Sequence, residues 1–298
     1  MLSDEKQVQY FKKMIVPYEK KGEKKYAILQ YVRGAGNELE DKFWQDHSSS
    51  RMAFDLYSWM QEDKYFEIKD FSFEYPLPRL NSGGMGPNMD VYIETEDEII
   101  FIESKFTEKA NLNYRNPNKK GETYLSPAYY ASTHGKDQMT LEDRFNKYSY
   151  AERFANFTKE WEDEMIANPS WRKRGRIDWF EPKQETCHLC GIFFFLKENS
   201  ELIKGKSIRL FNIYWKLNGD EYSDMEQVFL SKAQSLIDEV VKIERLQIKD
   251  FKIRAFSIQE MLDDNSLLSR HIHFPPGLSD EIKKRNEAIV GDRRRGQF

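Results

Sequence analysis

Met89-Asp90-Val91-Tyr92-Ile93-Glu94, the polar turn Thr95-Glu96-Asp97, then Glu98-Ile99-Ile100-Phe101-Ile102-Glu103-Ser104-Lys105-Phe106: this is the stretch that decides the fold. Two runs rich in β-branched and aromatic residues flank a three-residue connection, which predicts a β-hairpin. Side chains alternate along a strand. Ile99, Phe101, Glu103 and Lys105 therefore share one face of the second strand, and Ile100, Ile102, Ser104 and Phe106 share the other. A strand apolar on both faces belongs in the middle of a covered sheet. Yet one of its faces ends in a carboxylate and an ammonium, with Asp90 opposite them on the preceding strand.

Burying such groups unpaired is costly. Two adjacent carboxylates repel, and one tends to take up a proton unless a cation lies between them. A hard divalent cation with oxygen ligands resolves the conflict. Mg²⁺ is the expected ion, held by Asp90, Glu103 and the Ser104 carbonyl. Lys105 would then orient or deprotonate a water, or stabilise charge on a phosphate in the transition state. Such a site suits phosphodiester hydrolysis by metal-activated water.

The surrounding sequence predicts the frame. A helical pattern starts near Asn37 and carries Leu39, Phe43, Phe54, Tyr57 and Trp59, over two helices broken near Ser48-Ser49-Ser50. Residues 66–75 read as a strand ended by Pro76 and Pro78, followed by the Gly-rich turn around Gly83, Gly84 and Gly86. Phe145, Tyr148, Ala151, Phe154, Phe157, Trp161 and Met165 recur at helical spacing, and Asn168-Pro169 ends that helix. About 183–196 reads as a buried helix, Ile208–Leu217 as a mid-sheet strand, 224–243 as a long helix and Phe251–Phe256 as a last strand. Alternating elements of this kind predict an α/β fold, a mixed sheet with helices on both faces. One large domain is expected over residues 1–298. Its core spans about 37–258, with a long irregular insertion over 107–137 and a basic helical tail over 277–298.

Asp90, twelve intervening residues, then Glu103-Ser104-Lys105 resembles the PD-(D/E)xK nuclease superfamily. The phrase Phe101-Ile102-Glu103-Ser104-Lys105-Phe106 is similar to that of bacterial type II restriction endonucleases of this superfamily. So is Lys183-Gln184 followed by Cys187-His188-Leu189-Cys190-Gly191. The proline expected beside the aspartate stands three residues early, at Pro87. The resemblance implies a restriction-endonuclease-like three-layer α/β/α core with a central mixed sheet. It implies a Mg²⁺-dependent endonuclease acting on double-stranded DNA, and a homodimer for double-strand cutting. It also implies a glutamate from the first helix in the metal shell, Glu40 first and Glu38 second. Their plain alternative is as solvated first-turn carboxylates. Gln184 resembles a glutamine on the helix behind the site; otherwise it is an ordinary surface amide.

Other features constrain function. Lys plus Arg number 46 and Asp plus Glu 50, a formal net charge of −4, which excludes a uniformly basic nucleic-acid coat. Basic residues are instead concentrated. Lys109, Tyr114, Arg115, Lys119 and Lys120 lie in a stretch without acidic residues, directly after the hairpin, and are the expected DNA contacts. Arg172-Lys173-Arg174 with Arg176, and Arg293-Arg294-Arg295, are further candidates for phosphates. Cys187 and Cys190 make only half a zinc site, which His271 and His273 could complete although nothing in the sequence places them nearby, and small core residues are the stronger reading. Only five histidines are present, His134 among them, with no serine or cysteine motif, which speaks against triad hydrolases. Two cysteines and no apolar leader suit a reducing cytoplasmic setting, and the longest apolar run, Ile192–Leu196, is far short of the ~20 residues needed to cross a bilayer. The alternatives to a DNA endonuclease are a DNA-binding protein without cleavage and a nuclease for RNA or repair intermediates.

Overall fold

The computed structural model describes residues 18–20, 23–25, 48–61, 68–78, 87–106, 182–216 and 223–294, with a few positions between 153 and 167. Two short strands, β1 (Tyr18–Lys20) and β2 (Glu23–Lys25), pair antiparallel near the start of the chain. Helix α1 (Ser49–Tyr57) begins where the serine cluster predicts a break, because the Ser48 hydroxyl caps it by accepting from the Arg51 N–H at 3.2 Å. Phe54 and Tyr57 lie in α1, and Trp59 falls in the 3₁₀ turn Ser58–Gln61 that follows. The helix predicted ahead of it, from Asn37, lies outside the described residues.

The central sheet is built from β3 (Asp70–Pro76), β4 (Asn88–Glu94), β5 (Glu98–Lys105), β6 (Ser207–Tyr214) and β7 (Asp250–Ser257), in that spatial order. The β3–β4 and β4–β5 pairs are antiparallel, and β5–β6 and β6–β7 are parallel. The expected mixed sheet is therefore present, with β5 at its centre. The predicted hairpin closes as the sequence suggests: Thr95 Oγ1 accepts from the Glu98 N–H at 3.0 Å. Lys206 Nζ braces this end, donating to Glu94 Oε1 at 2.9 Å and to the Thr95 carbonyl at 2.8 Å.

Between β5 and β6 lie helix α2 (Pro182–Glu198) and the short α3 (Ser200–Ile203); α4 (Ser223–Ile243) joins β6 to β7. Helix α5 (Ile258–Asp263) starts with a capping box, in which Ser257 and Glu260 satisfy each other's backbone N–H groups. Helix α6 (Leu278–Arg294) supplies the predicted tail and is tied back to α1 by the Arg285–Asp55 ion pair.

Two apolar layers cover the sheet, one on each face. One gathers Tyr92, Ile99, Phe101, Ile208 and Leu210 under Leu189–Leu196 of α2 and Phe229, Ala233 and Ile237 of α4. Phe154 and Phe157, from the predicted helix around 145–165, belong to this layer. The other holds Phe73, Val91, Ile93, Ile100, Ile102 and Phe211 against α1, α5 and Ile282 of α6. The parity read from the β5 sequence is thus observed directly. No helix among the described residues is long and apolar enough to cross a membrane.

Boundaries of β3 and β6 differ from expectation. Ile68 lies before β3, and Pro76 pairs with Asn88 as its last residue; among the described residues β3 is an edge strand, a place where a proline's missing N–H is tolerated. Strand β6 stops at Tyr214 rather than reaching Leu217, although the Trp215 N–H still donates to the Lys105 carbonyl at 3.1 Å. The predicted end of the 145–165 helix at Asn168-Pro169 lies outside the described residues.

Phe101 is fully buried, within ring contact of Tyr75, Tyr92 and Phe195. Phe101→Ala is expected to destabilise the fold by about 3–5 kcal/mol, read by chemical denaturation.

Candidate cation and phosphodiester site

The site forms where β4 begins and β5 ends. The β4–β5 ladder runs from Glu94↔Ile99 to Val91↔Ile102, and Asp90 stands one residue beyond it. Its carboxylate replaces a backbone partner: Asp90 Oδ2 accepts from the Ser104 N–H at 2.6 Å. In an extended strand a residue's N–H and C=O point the same way, so the Ser104 carbonyl is also directed toward the Asp90 side.

A backbone irregularity sets this up. In β3 and β4, Phe73 pairs with Val91 and Tyr75 with Met89, while Glu74 and Asp90 between them drop out of the ladder. Residues two apart on a strand ordinarily share a face. Here Phe73 and Val91 join one apolar layer, and Tyr75 and Met89 the other. Both strands therefore change face at this point, and Glu74 takes a φ of 46°. Left-handed backbone at a glutamate costs about 1–3 kcal/mol and is often found at functional sites.

Glu103 is only 3% exposed. Its Oε1 accepts from Lys105 Nζ at 2.5 Å and from Gln184 Nε2 at 2.7 Å. Lys105 Nζ also donates to Gln184 Oε1 at 3.1 Å, closing a three-membered polar ring. On the same helix, His188 Nδ1 lies 3.8 Å from Glu103 Oε2. The register partner of Glu103 on β6 is Asn212, whose Nδ2 donates to Glu185 Oε2 at 3.0 Å, with both residues buried. Helix α2 thus presses Gln184, Glu185 and His188 onto the polar end of the sheet.

Burial pushes the Asp90 carboxyl well above its ordinary value, and the charges of Glu103 and Glu74 push it the same way; Lys105 and the Ser104 N–H oppose them without prevailing. The nearby phenol of Tyr57 is raised too, by burial and then by Asp90. An aspartate that favours its neutral form, set beside a second, buried carboxylate, makes a donor set that fits a hard divalent cation, with Asp90 and Glu103 to hold it.

Of the residues singled out from sequence, Asp90, Glu103, Ser104, Lys105 and Gln184 come together. Glu38, Glu40, Lys109, Tyr114, Arg115, Lys119, Lys120, His134, the Gly-rich turn and residues 172–176 lie outside the described residues. Pro87 does not adjoin Asp90; its ring packs toward Gly191 of α2. Cys190 sits in the apolar layer, where burial and then Cys187 push its thiol well up, as for a core residue. Two residues escaped the sequence reading. His188 was legible only as part of the cysteine motif, although its i+4 spacing from Gln184 places both on one helix face. Glu74 left no signal, because its role arises from a local flip in strand geometry.

A second polar cluster, Asp97, Glu98 and His271, lies at the other end of β5 and brings its ligand-type atoms within 4.8 Å. Its electrostatics are of the opposite kind. Burial raises Asp97, but His271 and Arg270 outweigh it and hold the carboxyl below its ordinary value. Glu98 accepts from Ser269 Oγ at 2.6 Å and faces Arg209 at 3.6 Å. These carboxylates already have their cations. Comparison with protein-family models, curated proteins and solved structures found no match to this chain.

A pH dependence follows from Asp90. Its raised folded value favours the neutral form, an advantage to the fold that is full below the unfolded value near 3.8 and is lost as pH rises through the folded value. Asp90→Asn stays neutral and can still accept from Ser104. In EDTA it is expected to melt above the wild type at pH 7–8, by about 2–4 °C per kcal/mol relieved, with the gap closing toward pH 4. Thermal melts across pH check this.

Proposed function

We propose that the protein is a Mg²⁺-dependent endonuclease that hydrolyses DNA phosphodiester bonds, built on a restriction-endonuclease-like core of the PD-(D/E)xK type. The observation that carries this reading is the convergence of Asp90, Glu103 and Lys105 at one end of the two central antiparallel strands, with Gln184 reaching them from α2. The element order supports it: a helix, three antiparallel strands, a helix, then a parallel strand.

When bound, a divalent cation supplies Lewis acidity and an activated water for in-line attack at phosphorus. Asp90 and Glu103 are the carboxylates to hold it, with the Ser104 carbonyl as a third oxygen. The Ser104 N–H fixes the Asp90 carboxylate in place. Lys105 brings a positive charge to the edge of the site, where it stabilises charge gathering on the phosphate oxygens. Gln184 holds the lysine and Glu103 in register by donating to one and accepting from the other. Lys109, Tyr114, Arg115, Lys119 and Lys120 remain the proposed DNA contacts, with Glu40 or Glu38 the proposed addition to the metal shell. A restriction or defence role, a homodimer and a cytoplasmic location belong to the same proposal.

The test is incubation of supercoiled plasmid with protein and Mg²⁺, beside Asp90→Ala and Lys105→Ala, with a structured RNA as a parallel substrate. Wild type is expected to nick or linearise the plasmid, and each variant to lose at least about 100-fold in rate. Equal cutting by all three, or none by folded wild type, rejects the proposal. Salt-dependent DNA binding that ignores Mg²⁺ would assign the fold to binding alone, and cutting confined to RNA would move the substrate class.

A further inference from the structure

We propose that His188 is a positioning residue for Glu103, the second arm of a clamp whose first arm is Gln184. The inference rests on the reading of Asp90 and Glu103 as cation ligands.

Gln184 and His188 are one helical turn apart on α2 and face the same carboxylate. The two oxygens of that carboxylate are treated differently. Oε1 is filled by two donors, Gln184 Nε2 at 2.7 Å and Lys105 Nζ at 2.5 Å. Oε2 accepts no hydrogen bond among the described residues, and its near neighbour is His188 Nδ1 at 3.8 Å. That distance is beyond a hydrogen bond. The imidazole therefore does not capture Oε2. It limits rotation of the carboxylate and, with the proton on Nδ1, turns a positive dipole end toward an oxygen still able to bind a cation.

Both side chains are only 3% exposed, so neither has room to swing away and water does little to screen them. The base of the clamp is tied down independently. Glu185, between its two arms, is hydrogen-bonded to Asn212, the register partner of Glu103 on the next strand. His188 is not a third ligand beside Asp90 and Glu103. Among the described residues, the one group of three ligand-type atoms within 4.8 Å of one another is Asp97, Glu98 and His271. The inference also accounts for the Cys187-His188-Leu189-Cys190 stretch. Its cysteine Cys190 is core, and its histidine is the functional member.

The experiment measures Mn²⁺ binding to the full chain by electron paramagnetic resonance, without nucleic acid, for wild type, His188→Leu and His188→Asn. The asparagine Nδ2 occupies the place of the imidazole Nδ1, so this variant keeps the donor while changing the packing. The leucine variant is expected to bind Mn²⁺ about 10–100-fold more weakly, the usual loss when a ligand's orienting partner is removed. The asparagine variant is expected to recover most of the affinity, and the apparent Mg²⁺ requirement for plasmid cutting to follow the same order. Melting in EDTA reports folding; if the leucine variant fails to fold, the comparison of His188→Asn with His188→Ser decides in its place. Equal binding by wild type and leucine variant overturns the inference, as does an asparagine variant no better than leucine, which would make the role one of packing. Wild type that binds no Mn²⁺ overturns both the cation site and the clamp. Wild type that binds Mn²⁺ with the expected variant order but cuts nothing leaves the clamp standing and rejects only the nuclease reading.

Discussion

Glu103 is a carboxylate on the central strand of a sheet covered on both faces, and it is almost wholly withdrawn from water. Desolvating such a group costs several kcal/mol unless partners surround it. Strand β5 supplies one partner, Lys105, two residues along on the same face. The others must come from above the sheet, which requires a helix to lie across the end of the strand with its polar first turns downward. Helix α2 meets this requirement with Gln184 and His188, and then continues as an apolar plug through Ile192–Leu196. One helix thus satisfies a buried charge with its beginning and fills the core with the rest.

The strand on the other side answers the same constraint by different means. Asp90 does not follow the pleat of β4; it leaves the ladder together with Glu74 and spends its carboxylate on a peptide N–H of β5. The change of face in β3 and β4 lets Met89 and Val91 pack into opposite layers while Asp90 stays at the seam. Strain at Glu74 is held in place by these two well-filled layers. Burial, and then the charges this brings together, make Asp90 favour its neutral form, whereas Asp97 at the far end of the hairpin, matched to His271 and Arg270, does not.

Much of this was legible in the sequence. Alternation in 98–106 gave both the central place of β5 and the face shared by Glu103 and Lys105. The turn at 95–97, the buried helix near 183–196 and the last strand near 251–256 followed from local pattern, because hydrophobic period is dictated by which faces are covered. What escaped depends on contacts between distant segments. Helix spacing alone set His188 beside Gln184, but only the packing of α2 on β5 shows which residue they share. The flip at Glu74 has no composition signal, since glutamate has no preference for left-handed backbone. Strand ends were misjudged where an apolar residue continued past the ladder, as at Ile68 and Trp215.

Gly191 gives α2 its height above the sheet. A Cβ there would come within 3.0 Å of the Leu77 side chain and of the Pro87 ring, at the point where β3 ends and β4 begins. The absent side chain therefore works as a spacer of zero thickness. Seven residues further back on the same rigid rod is Gln184, so any lift of the helix at Gly191 would be carried to the polar ring as a change in reach. Side-chain volume at one apolar contact is in this way a dial on the geometry of a charged site that it never touches.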